Sequence, residues 1–115
     1  MSKQRRSSQV VVVLVTCPSR TVARRLADRL VRGRFAACAN LVPAIHSLFW
    51  WQGKVDRCRE ALLLVKTTAG RFPDLRTAIL KWHPYEVPEM IALPVVSGHP
   101  PYLAWVRSSV AVPSR

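Results

Sequence analysis

Residues 44–68 read AIHSLFWWQGKVDRCREALLLVKTT, and the alternation in this stretch decides the fold. Ile45, Ser47, Phe49 and Trp51 fall on one side of an extended chain; His46, Leu48 and Trp50 fall on the other, because successive strand side chains point to opposite faces. Gln52-Gly53-Lys54 interrupts the pattern with a hairpin turn. The chain returns through Val55 to Thr68, and its Ala61 to Val65 run is apolar enough for a strand in the middle of a sheet. The remaining elements must fit around these two long antiparallel strands.

Upstream, Gln9 to Thr16 is β-branched and continuous, which predicts a central strand buried on both faces. Pro18-Ser19 starts a helix in which Val22, Leu26 and Leu30 recur every four residues beside Ala23, Ala27 and Val31, forming one apolar stripe. Arg24, Arg25, Asp28, Arg29 and Arg32 fill the opposite arc, and Gly33 is a natural C-terminal cap. Phe35 to Trp51 is extended; Pro43 lacks a ladder donor, so this strand is bent or at an edge there.

Downstream of Gly70, Phe72, Leu75, Ile79 and Trp82 form a second helical stripe, which must stop near His83 because Pro84 disfavours α geometry before it. Glu89 to Val96 reads as a fourth strand, marked as an edge by Pro94. Pro100-Pro101 permits a short last helix with Leu103 and Val106 inward. The order β-α-β-β-α-β predicts an α+β, ferredoxin-like sandwich with an antiparallel sheet and a short C-terminal helix. That topology puts the second and fourth strands at the edges, the two that carry proline. One domain is expected over residues 9–110, between a loose basic tail at 1–8 and a frayed tail at 111–115.

Half of the 115 residues are hydrophobic. A chain of this length buries roughly two-thirds of its unfolded surface, so folding requires no disulfide, metal or other cofactor. No apolar run approaches the ~18 residues of a membrane span. Val10 to Val15, behind Lys3, Arg5 and Arg6, resembles a stunted signal peptide without small-residue cleavage chemistry, and a trimmed targeting remnant is the alternative to a buried strand. Cys17, Cys38 and Cys58 are odd in number and without CxxC spacing, which points to a reducing compartment, the cytoplasm.

The net charge is +12, and most of the 18 basic residues are arginine. Such a balance raises nucleic acid or an acidic membrane as partners. The arginines of the first helix carry no interleaved aromatic, and the central strands are aliphatic rather than bearing stacking aromatics as RNA-binding sheets do. A solvated face without a nucleic-acid partner is therefore expected. A basic module that binds nucleic acid or an acidic protein is the alternative function.

No GxSxG, P-loop, GxGxxG or HExxH occurs, so a non-catalytic protein is expected. Phe49, Trp50 and Trp51 lie at a hairpin end, where one tryptophan would be wet unless something covers it; a local cap or an interface would do so. Two edge strands and this aromatic end favour assembly with copies of the chain. In the segment from Trp82 to Glu89, Pro84 and Pro88 fix the backbone around His83, Tyr85, Glu86 and Glu89, a rigid loop suited to a metal or small-ligand site or to a hydrogen-bonded structural histidine. Imidazole and thiolate both suit copper; His83 is the expected ligand, with Cys17 preferred as its thiol partner and Cys38 second, the alternative being that His83 only hydrogen-bonds its loop and both cysteines are small core hydrophobes.

Several motifs together resemble the CutA family: Val15-Thr16-Cys17-Pro18, Arg34 to Pro43, Trp51 to Val55, Glu60, Lys66-Thr67-Thr68, His83 to Glu89, Ile91 to Pro94 and Tyr102 to Trp105. The resemblance covers roughly residues 10–108. It implies a ferredoxin-like protomer in a tight homotrimer with hairpins reaching across neighbours, similar in architecture to the PII signalling proteins. It also implies binding of divalent cations, copper above all, and a role in tolerance to them. Cys38, Trp51, Lys66, His83, Tyr85 and Glu89 are the positions that match the family's patterns. This chain departs from the family's usual acidity at Arg20, Arg24 and Arg25 in the helix and at Arg57, Cys58 and Arg59 in the hairpin.

Overall fold

The computed structural model describes residues 3–112. Its elements are α1 (Lys3–Ser8), β1 (Val10–Cys17), α2 (Arg20–Arg32), β2 (Cys38–Trp51), β3 (Lys54–Thr68), α3 (Phe72–Trp82), β4 (Ile91–Pro94) and α4 (Pro100–Val110). The four strands form one antiparallel sheet in the order β2-β3-β1-β4. This is the ferredoxin-like order, with both proline-bearing strands at its edges.

Each element has a local cause. Ser19 caps α2 by accepting the Val22 N–H at 3.2 Å. At the other end, Phe35 N–H reaches the Leu30 carbonyl and Arg34 N–H the Val31 carbonyl, which is a Schellman closure. The left-handed residue of that closure is Arg34 (φ 58°), not Gly33 (φ −80°). Gly33 is demanded by space instead: a Cβ there would lie 2.7 Å from the Phe35 ring. Arg34 is tied down by its guanidinium to the Ser109 carbonyl and by its own carbonyl to the Arg71 guanidinium. Gln52 (φ 51°) and Gly53 (φ 78°) both take positive φ, the pattern of a type I′ hairpin turn whose twist matches its strands. Pro43 lies where the β2–β3 register shifts, between Val42 and Ile45, so the missing donor coincides with a break in the ladder.

Val11, Val13, Val15 and Cys17 of β1 pair with Thr67, Val65, Leu63 and Ala61 of β3 and present one face of the sheet. Ala23, Leu26 and Leu30 of α2 and Leu75, Ala78 and Ile79 of α3 cover that face in a single core. On the opposite face α4 buries Val10 and Ala37 beneath Val106 and Val110. Beyond α4 that face is bare: Val12, Leu14, Leu62 and Leu64 are half-buried, and Ile91 and Leu93 are 49% and 45% exposed. The expectation that β1 is buried on both faces is thus corrected, because α2 and α3 cover one face whole while α4 covers only the Val10 end of the other.

Two further expectations change. Of the 1–8 tail, residues 1–2 lie outside the described residues, and Lys3–Ser8 is helical rather than loose, anchored where Gly70 N–H reaches the Ser7 carbonyl and Arg107 reaches the Ser8 carbonyl. β4 shrinks to Ile91–Pro94, since only Val11 to Leu14 of β1 pair with it. Of the 111–115 tail, Ala111 and Val112 lack regular structure, and 113–115 lie outside the described residues.

The distal halves of β2 and β3 project as an arm. The molecule measures 46 × 27 × 24 Å, with a radius of gyration of 15.0 Å, where a compact chain of this length would have about 13 Å. Trp50 is 76% and Trp51 59% exposed, so neither is capped locally.

Candidate functional site

His83 is the C-cap of α3, its N–H bonded to the Ile79 carbonyl at 2.8 Å. Pro84 ends the helix there, and the ring reaches the end of β1. The ring is nearly buried at 7% exposure. Nε2 lies 2.7 Å from the Thr16 carbonyl, and Nδ1 accepts the Tyr85 N–H at 3.0 Å. A carbonyl can only accept and a backbone N–H can only donate. These partners therefore set a neutral imidazole with its proton on Nε2, and both nitrogens are in use.

The Tyr85 ring packs 4.8 Å from the His83 ring, and its hydroxyl donates to Glu60 Oε2 at 3.0 Å. Burial first, then the bond to Glu60, pushes the Tyr85 hydroxyl up to about 12. Glu60, itself buried, stands where the arm leaves the body, opposite Ile45 just past the Pro43 irregularity. Burial and then the Glu60 charge push the Cys17 thiol up to about 11, and they also raise the Glu89 carboxyl. Cys58 is raised by burial, the Glu60 charge and a hydrogen bond to that carboxylate. Glu60 is thus the electrostatic centre of a cluster that includes Cys17, Cys58, Tyr85 and Glu89.

A second polar cluster lies on the bare face of the sheet near α4. Lys66 Nζ donates to Asn40 Oδ1. Cys38 Sγ lies 3.8 Å from that same oxygen and 3.7 Å from the Tyr102 hydroxyl, and Tyr102 packs against Trp105. Cys38 and Lys66 are cross-strand partners, which explains why two positions 28 residues apart meet. The bond to Cys38, then burial, raises the Tyr102 hydroxyl.

Against this geometry the expected metal set does not assemble. His83 has no free nitrogen, Cys17 is fully buried with a thiol held protonated, and Cys38 belongs to the other cluster. Among the described residues no three His, Cys, Asp or Glu side chains converge to hold an ion. His83, Tyr85 and Glu89 do share one neighbourhood, whereas Phe49, Trp50 and Trp51 lie out on the arm. Glu60, Cys58, Asn40 and Tyr102 escaped the sequence reading as site residues. Glu60 had a signal: it is an acid directly before the apolar Ala61–Val65 run, on the same strand face as Leu62 and Leu64.

The family model described as CutA1 divalent ion tolerance protein matches residues 11–109. The chain belongs to the CutA1 family. A CutA1 relative from Thermus thermophilus, named divalent-cation tolerance protein CutA, is 50% identical over 98 residues, which are 85% of this chain and 95% of that protein. The solved structure of a Thermus thermophilus divalent cation tolerance protein matches with a TM-score of 0.87 at 48% identity, covering 89% of this chain and 99% of that one. A rice CutA1 structure matches with a TM-score of 0.86 at 39% identity, over 91% and 98% of the two chains. The mouse protein CutA is 46% identical over 98 residues, 85% of this chain; these span only 55% of the mouse protein. No described helix of this CutA1 chain is long and apolar enough to cross a membrane.

Proposed function

We propose that this CutA1 chain acts as a homotrimer that binds a divalent cation, copper foremost, in tolerance to that cation, and catalyses no reaction. The observation that carries the reading is the bare apolar sheet face of Val12, Leu14, Leu62, Leu64, Ile91 and Leu93, continued by an arm that ends in Phe49, Trp50 and Trp51. Monomeric proteins rarely leave so contiguous an apolar surface open. Copies related by a closed rotation would cover faces and arms together, and the family resemblance supplies the number three.

The cation is cargo in this reading, not a part of the fold. Glu60 and Glu89 repel one another, and a cation near them would relieve that repulsion. Cys58 beside Glu60 adds a sulfur donor suited to copper. Within one chain these three side chains do not converge on a single point, so the reading needs water or a neighbouring chain to supply the rest of the shell. Light scattering tests the assembly: three times the 13.0 kDa chain mass is expected, and a monomer overturns it. Calorimetric titration with copper tests the cargo. Glu60→Gln with Glu89→Gln is expected to weaken binding at least tenfold, while Cys38→Ser leaves it unchanged. Unchanged binding by the double variant would remove this carboxylate pair from the function.

A further inference from the structure

We propose that the helix layer of this protein is a docking surface for duplex nucleic acid, gripped through its phosphates without regard to sequence. The argument starts from what the fold adds to α2. In sequence, the arginines of that helix look like a solubilising face. In the structure α3 packs beside α2 on the same side of the sheet, and the exposed Arg76 and Lys81 join the exposed Arg20, Arg24, Arg25 and Arg29 in one layer. Asp28 is taken up by Arg32 at 2.8 Å and Asp74 by Arg71 at 2.6 Å. The six named cations have no carboxylate partner among the described residues. Surface charge in a soluble domain is ordinarily mixed in sign. Here the two acids of the layer are neutralised and an uncompensated basic field remains.

The chemistry of the row favours phosphate. Five of the six are arginine, whose planar fork bonds phosphate oxygens two at a time, and which gives up its hydration more readily than lysine. The unpaired α2 row from Arg20 to Arg29 spans about 14 Å at the rise of a helix. Over that length a duplex presents about eight phosphate charges. Single strands are held by stacking on exposed aromatics; the one tryptophan of this layer, Trp82, is half-buried with the Arg29 guanidinium 5.3 Å above its ring. Arginines bonded to phosphates position a duplex without reading its bases, so the contact carries no base readout. The layer lies on the side of the sheet opposite the bare apolar face, so docking there and self-association do not compete for surface.

The test is fluorescence anisotropy of the full-length protein with two labelled 20-base-pair DNA duplexes of unrelated sequence, at several salt concentrations. Both duplexes are expected to bind equally, with affinity falling linearly in log–log against salt. Arg24→Glu with Arg25→Glu should cost at least tenfold and flatten the salt slope by about two, one for each lost phosphate contact. Arg57→Glu with Arg59→Glu makes the same charge change on the arm and should cost under threefold. Circular dichroism and scattering mass verify that both variants stay folded and assembled; should the helix pair fail that check, Arg24→Gln with Arg25→Gln replaces it. Three results overturn the proposal: no duplex binding at 50 mM salt, equal losses in the helix and arm variants, or tighter binding to vesicles of one part phosphatidylserine to four of phosphatidylcholine than to either duplex.

Discussion

The two halves of the β2–β3 ladder are made of the same strands in the same antiparallel pairing, yet they live in different solvents. In the body half, Leu63 and Val65 are fully buried beneath α2 and α3. In the arm half, Leu48, Trp50 and Val55 are more than half exposed, although they are as apolar as anything in the core. Between them stands the irregularity at Pro43, and just past it Glu60, held by Tyr85. Strand pairing alone thus does not make a core. Apolar side chains contribute to a chain's own stability only where a second layer removes them from water. On the arm no layer of the described chain does so.

The largest effect should follow from emptying the body. Leu63→Ala removes a fully buried side chain and is expected to lower folding stability by about 3 kcal/mol, at any protein concentration. A loss under about 1 kcal/mol in urea titration would mean that the body is not the folding core. On the arm, Trp51→Ala should instead act through assembly, weakening it by about 2 kcal/mol as buried aromatic anchors do. Its signature is a dilution-dependent dissociation midpoint with circular dichroism unchanged; an unmoved midpoint would strip the arm tip of its role as an interface.

The boundary between the halves is sharpened by Tyr85→Phe, which leaves the buried Glu60 carboxylate without its hydroxyl donor. A cost of about 1 kcal/mol is expected, read as a shift in the urea midpoint with an unchanged slope. No shift would show that water replaces the hydroxyl freely. Smallest is Glu89→Gln, whose effect should depend on pH. Burial and Glu60 raise the folded-state value of Glu89 above its unfolded one. The stability tied to its neutral form is therefore full below the ordinary carboxylate range and is lost as pH rises through the raised value. Glu89→Gln should accordingly unfold slightly later than wild type at pH 7, with the gap closing as the pH falls below the carboxylate range. A gap that ignores pH would deny any strain between the two carboxylates.

Much of the scaffold was legible because it is written in local periods. The four-residue recurrence of Val22, Leu26 and Leu30, the alternation through Trp51, the turn at Gln52-Gly53 and the edge prolines Pro43 and Pro94 depend on neighbours in sequence. They yielded the element order and the ferredoxin-like topology that the sheet order bears out. The helical start at Lys3–Ser8 was missed because its ties, to Gly70 and Arg107, are made by residues far along the chain.

The site was legible only as a vocabulary. The sequence by itself determined that His83, Tyr85 and Glu89 would sit on a proline-braced loop and that Phe49, Trp50 and Trp51 would gather at a hairpin end. Only the tertiary structure decided that His83 spends both nitrogens on Thr16 and Tyr85, that Cys38 meets Lys66 and Tyr102 instead of His83, and that Glu60 organises the charges around it. It alone decided that one sheet face is left bare and that the basic residues of α2 and α3 share a layer. The physical reason is range: periodicity and turn chemistry act over a few residues, whereas hydrogen-bond partners, burial and electrostatic neighbours are set by strand register and layer packing, which join residues tens of positions apart.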